Sequence, residues 1–97
     1  MEIFIALKNR FGVEDYIGCY PDEYKAAKAE SGCKVLTKSL ETDKLIDNEI
    51  FIASSYSPGS DLHGFVDIYY SLDDAIKAAG KKGLVYSHSV ALIFKAA

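Results

Sequence analysis

The chain has no tryptophan, one methionine, two prolines and two cysteines in 97 residues. Two thiols, Cys19 and Cys33, are too few to hold a metal alone. They fit a reducing compartment in which both stay unpaired, so a cytoplasmic location is expected. A basic run is also missing. The densest basic spot is "GKKG" at Gly80–Gly83, and the net charge is −3. Two lysines do not track a phosphate backbone, so direct nucleic-acid binding is not expected. The acidic side chains are scattered too, and no dense DNA-like surface is encoded. No segment reaches the length of a membrane span. The start, "MEIFIALKNR", opens on an acid and lacks a basic leader and a small-residue cleavage site, so no signal peptide is expected. The loop "SYSPGSDLHG" is flexible, but it carries neither Gly-x-Gly-x-x-Gly nor Gly-Lys-Ser/Thr, the patterns that cradle phosphates. No cofactor or metal is called for.

What is present is globular. Hydrophobic residues make up 49% and charged residues 26%, which places the chain among folded domains. A single domain over residues 1–97 follows, with a core small enough that a partner or a second copy would help it; a homodimer stays open.

The stretch "EIFIA" occurs at Glu2–Ala6 and again at Glu49–Ala53. Each copy opens a similar series. In the first half, "EIFIALKN" reads as a strand, "RFGVED" as a turn broken by Gly12, and Tyr16–Tyr20 as a second strand. "PDEYKAAKAESG" turns helical, with Asp22 as cap and Gly32 as stop. "CKVLTKSL" is a third strand, and "ETDKLIDN" is a polar linker. In the second half, "EIFIASSY" is a strand, "SPGSDLHG" a loop and "FVDIYY" a strand. "SLDDAIKAAGKKG" is a helix capped by Ser71, with Leu72, Ala75, Ile76 and Ala79 on one apolar face. "LVYSHSVALIF" is the last strand.

The halves overlay. Glu2 matches Glu49; Tyr20, Ala26, Lys28 and Ala29 match Tyr69, Ala75, Lys77 and Ala78; "KVLTKSL" lies on "LVYSHSV". The offset drifts only between elements, where insertions are tolerated. An internal duplication is the reading: repeat 1 over 2–40, a linker over 41–48 and repeat 2 over 49–94. The expected fold is α+β, two tandem ββαβ units with about six mostly antiparallel strands and two helices packed on one side. The strand "EIFIA" is apolar on both faces, which suits the centre of each three-stranded piece.

Candidate chemistry is sparse. Asp61 and His63 sit together in "SDLHG". They could bind a metal or move a proton, but an Asp that caps a turn explains them more simply. His88 shares a strand face with Leu84, Tyr86 and Val90, which makes it a core-edge or interface residue. Seven tyrosines remain. Tyrosine suits a binding surface because it carries an apolar body and a polar tip, and it equally suits a core edge.

"YIGCYPDEYKAAKAE" and "FVDIYYSLDDAIKAA" resemble a strand-to-helix element of small uncharacterised phage and bacterial domains, in which a strand ending Gly-Val-Tyr runs into Ser-x-Glu-Glu-Ala. The resemblance implies a compact accessory protein of phage or mobile-element origin, of a kind that binds and blocks a host protein or defence complex. The expectation is therefore a non-catalytic protein-binding module. Its binding face would comprise Tyr16, Tyr20, Tyr24, Tyr56, Asp61, His63, Tyr69, Tyr70 and Tyr86. The alternative is a small-molecule or nucleotide binder with a pocket between the repeats near His63 and His88. A hydrolase using either histidine is the third reading.

Overall fold

The fold is that of a computed structural model, which describes residues 1–95. Strand β1 (Glu2–Arg10) lies between β2 (Val13–Tyr20) and β3 (Lys34–Ser39), antiparallel to both. Strand β4 (Glu49–Ser57) lies likewise between β5 (Leu62–Tyr69) and β6 (Leu84–Ser89). Helix α1 (Glu23–Ala27) follows β2, and α2 (Leu72–Ala79) follows β5. A third helix, α3 (Val90–Lys95), closes the described chain. The architecture is α+β, built from two ββαβ units.

The units match rung for rung. Phe4 faces Tyr20 and Thr37; Phe51 faces Tyr69 and Ser87. Each central strand breaks register with its hairpin partner at the same place, between Ala6 and Leu7 and between Ala53 and Ser54. Past the ladders, Leu40 N donates to the Met1 carbonyl at 2.6 Å and Val90 N donates to the Asn48 carbonyl at 2.9 Å.

Alternation explains the layering. Ile3, Ile5 and Leu7 point one way from β1, and Ile50 and Ile52 point the corresponding way from β4. All five are at most 1% exposed and share one core with Tyr16, Leu40, Val90 and Ile93. The sheets thus face each other across this core. Phe51 and Ala53 point outward and meet Ala75 and Ala79 of α2. Helix α1 packs on the first sheet and α2 on the second. The helices therefore lie on opposite outer faces of two sheets, not on one side of the strands as expected. The facing apolar sides leave only the outer sides for helices.

Other boundaries also move. The last strand stops at Ser89, whose Oγ accepts from Leu92 N at 3.4 Å and caps α3. Val90 and Ile93 then fall on one helical side and enter the core, whereas a period of two would have swung Ile93 away from Val90. Helix α1 ends at Ala27, so Gly32 (φ +77°) belongs to the later turn and does not stop it. Asp22 does cap it, accepting from Lys25 N at 2.7 Å. On α2, Ser71 caps as read, and Gly80 (φ +80°) terminates the helix. The helix packs closely through its alanines, Ala75 and Ala79 above all, which leaves Leu72 and Ile76 about half exposed. The second hairpin loop is only Pro58–Asp61, because β5 already begins at Leu62 and takes in His63. Among the described residues, no helix is long and apolar enough to cross a membrane.

Candidate functional site

The nine residues singled out from the sequence do not form one surface. Tyr16 is 8% exposed and stands between the sheets. Its ring stacks with Phe65 (centroids 6.3 Å apart) and leans on Tyr86 (5.0 Å) and His88 (5.9 Å). The Tyr16 hydroxyl lies 2.7 Å from His88 Nε2. Burial raises the Tyr16 hydroxyl far above the ordinary phenol range and lowers the His88 imidazole, so the pair is held neutral. His88 thus lies at the core edge, one of the two places that its strand alternation allowed.

Tyr56, Asp61 and His63 meet at the tip of the second hairpin. Tyr56 donates its hydroxyl to Asp61 Oδ1. His63 Nε2 is 2.9 Å from the Lys82 carbonyl, and Lys82 Nζ stands 5.3 Å from the centroid of the Tyr56 ring. These contacts tie the hairpin to the turn between α2 and β6. Asp61 Oδ1 and His63 Nε2 are thus both engaged within the hairpin and its neighbouring turn. Among the described residues, no group of three or more His, Cys, Asp or Glu side chains is placed to hold a metal. Tyr69 packs beneath α2 with Ala53. Tyr70 packs on the central core, and its hydroxyl accepts from Glu41 N at 2.8 Å, which anchors the linker.

Tyr20 and Tyr24 belong to a cavity of about 490 Å³. It opens where the end of β2 and α1 meet α3, so residues of both repeats line it. Neither His63 nor His88 does. Cys19, Pro21, Leu92 and Ile93 supply apolar walls, and Lys25 of α1 and Lys28 just past its end complete it. Burial pushes the Cys19 thiol up to about 12, which keeps it protonated and poorly nucleophilic.

A further residue escaped the sequence reading. Phe11 sits at the turn of the first hairpin with φ +54°, followed by Gly12 at φ +83°. Two successive positive φ values define the two-residue hairpin turn that Asn-Gly ordinarily fills. A phenylalanine there costs about 1 kcal/mol or more in backbone strain. It recovers none of this by burial, being 93% exposed. The hairpin beneath it is braced. Gly12 N donates to Asn9 Oδ1 at 3.1 Å, and Arg10 bridges Asp15 at 2.9 Å and Glu30 at 2.7 Å. The sequence signal was "RFGV", an aromatic residue where a tight turn calls for a small polar one.

No family model, curated protein or solved structure matches this chain.

Proposed function

We propose that the protein is a non-catalytic binding module that occludes a surface of a protein partner and reaches it with the tip of its first hairpin. The observation that carries this reading is Phe11: a large apolar side chain, held out in water on a braced hairpin, in a backbone conformation unfavourable to it. Strain that the fold does not use is a pointer to a contact made elsewhere. A buried aromatic anchor is also the commonest centre of a protein interface. The partner would supply an apolar pocket, with polar or charged groups around it for Asn9, Glu14 and Lys34 near the tip. We extend the proposal to an inhibitor of a host protein or defence complex, acting in the cytoplasm. Two free thiols, Cys19 and Cys33, fit that compartment.

The test is Phe11→Asn. Asparagine tolerates positive φ, so the variant should be as stable as the parent or more stable by up to about 1 kcal/mol. It should nevertheless lose the protein that the immobilised parent captures from host lysate, while Tyr56→Ala retains it. Capture unchanged by Phe11→Asn would overturn the reading. A loss of binding without a loss of stability cannot be blamed on misfolding.

A further inference from the structure

The chain carries an apolar knob and an apolar hole that it does not bring together. The knob is Phe11, almost fully exposed at the tip of the first hairpin. The tip is slim: a Cβ built on the neighbouring Gly12 would meet nothing within 4 Å. The hole is the cavity of about 490 Å³ between β2, α1 and α3. Cys19, Tyr20, Pro21, Tyr24, Leu92 and Ile93 line it. Lys25 and Lys28 line it too, but both are engaged, Lys28 Nζ at 4.4 Å from the centroid of the Tyr24 ring. What remains open to a guest is apolar and aromatic wall. Tyr24 and Leu92 are each about two-thirds exposed, so part of that wall stands in water.

Knob and hole cannot satisfy each other within one copy. The tip precedes β2, and the cavity opens at Cys19 and Tyr20, the far end of the same strand. The 8 residues of β2, at about 3.3 Å each, put roughly 25 Å between them. A second copy, reversed on the first by a two-fold axis across β2, would lay each tip against the other's cavity. Such a pair is closed, because both knobs and both holes are used and neither is left to add a third copy. The chemistry fits as well. A cavity of about 150 Å³ already accepts a benzene ring, so this one has room for the phenyl ring and the turn that carries it. Tyr20 and Tyr24 offer ring faces and edges to an aromatic guest. The exposed surface of Leu92 would leave water in the same step.

We propose that the protein forms a two-fold dimer in which Phe11 of each copy fills the cavity between β2, α1 and α3 of the other. The inference rests on the reading of Phe11 as a contact residue, and it names one protein that Phe11 contacts: a second copy of the chain. One ring cannot fill two pockets. The dimer and the complex with a host partner therefore exclude each other, and the dimer keeps the tip out of water until that partner is met.

Sedimentation equilibrium of the full chain tests this. The parent should pass from monomer to dimer as its concentration rises through about 100 μM. Phe11→Asn removes the knob, and Leu92→Glu puts a carboxylate at the mouth of the hole. Each should weaken dimerisation at least about tenfold. Both changed side chains are exposed, so neither variant should melt below the parent at concentrations where the parent is monomeric. The two variants should then complement each other, because Phe11 of the Leu92→Glu copy can still enter the intact cavity of the Phe11→Asn copy. Adding unlabelled Leu92→Glu to isotope-labelled Phe11→Asn should shift the amides of Cys19, Tyr24 and Leu92. A parent that stays monomeric up to about 1 mM would overturn the inference and leave the lysate test of Phe11 standing. Undiminished dimerisation of Phe11→Asn, growth beyond the dimer, or a mixture without shifts at the cavity would overturn it too. Conversely, a lost dimer beside unchanged lysate capture in Phe11→Asn would support the dimer and sink the host-partner reading alone.

Discussion

In the first half, the turn that follows the helix is held by charge. Arg10 reaches Glu30, Lys34 reaches Glu14 at 3.1 Å, and Lys8 donates to the Ser31 carbonyl. In the second half, the equivalent turn is held by an imidazole on the Lys82 carbonyl and by the Tyr56 ring beneath Lys82. The helices differ as well. Helix α1 spans five residues and buries Ala26, while α2 spans eight and buries Ala75 and Ala79. Yet the strand registers and even the register breaks coincide. The difference teaches where the fold is constrained. Shifting a central strand by one residue would swap its buried and outward faces, and both faces are apolar and packed, so register resists change. The outer turns are solvated, and any chemistry that closes them serves. Divergence collects there, and with it the cavity on one half and the exposed Phe11 tip.

The sharpest way to break the comparison is at its centre. Ile5 and Ile52 are equivalent, fully buried and in the same core. Ile5→Ala and Ile52→Ala should each cost about 3 kcal/mol, since each deletes buried methyl groups and leaves a cavity. Urea unfolding should give one cooperative transition and similar midpoint shifts for both. Two transitions, or one variant losing far less than the other, would mean that the halves are energetically separate despite their shared geometry.

The helix–strand turns offer a sharper contrast. A Cβ on Gly83 would lie 2.2 Å from the Ala79 carbonyl oxygen, which is backbone and cannot yield cheaply. Its counterpart in the first half is Cys33, which carries a side chain without difficulty. Gly83→Ala should therefore cost about 2 kcal/mol by overpacking, and Cys33→Ala should stay within about 0.5 kcal/mol. Thermal melts of the two variants compare the turns directly. Equal costs would show that the longer α2 creates no extra crowding.

The two ββαβ units, the strand order and the central place of "EIFIA" were legible because hydrophobic alternation and turn residues act locally. So were the caps Asp22 and Ser71. The layering was not, because alternation says that a strand has two apolar faces without saying what covers each. The end of β6 was hidden by "SVALIF", whose apolar run satisfies a strand and a helix alike. Only the partner carbonyl of Asn48 and the capping Ser89 decide between them. The tyrosines misled for a related reason. Seven similar side chains serve four different places, and Tyr16 differs from Tyr56 only through what its strand packs against. The single residue that might have been read, Phe11, was visible as an offence against turn chemistry.

The sheets are tied to each other from one matching pair of rungs, on β3 and β6, by different means and to different positions across the core. Lys38 of β3 reaches Asp67 of β5 at 3.1 Å, an ion pair about a third exposed. His88, which occupies the matching rung of β6, meets Tyr16 of β2 as a neutral pair. The His88 imidazole is lowered below its unfolded value of 6.5 by burial. The unfolded chain therefore takes up a proton that the folded chain resists, so stability is present above pH 6.5 and is lost as pH falls through the folded value. His88→Gln keeps a hydrogen-bonding group for Tyr16 and removes the titration. Between pH 7 and pH 5, the urea midpoint of the parent should fall more than that of the variant. Parallel declines would mean that His88 contributes nothing to the pH dependence.

The smallest effect concerns the one inner rung where the central strands differ in kind. Leu7 is 1% exposed and apolar; its counterpart Ser54 is equally buried, and its hydroxyl has no hydrogen-bond partner among the described residues. A buried hydroxyl without a partner keeps its desolvation cost and gains nothing in return. Ser54→Ala removes that cost at the expense of one small atom, so it should leave stability unchanged or raise it by up to about 1 kcal/mol. A loss above about 1 kcal/mol in urea unfolding would mean that the hydroxyl is bonded in solution, most simply to a water held between the sheets. In that case the second half would have replaced a leucine with a hydrated pair, and the likeness between the two central strands would end at the backbone.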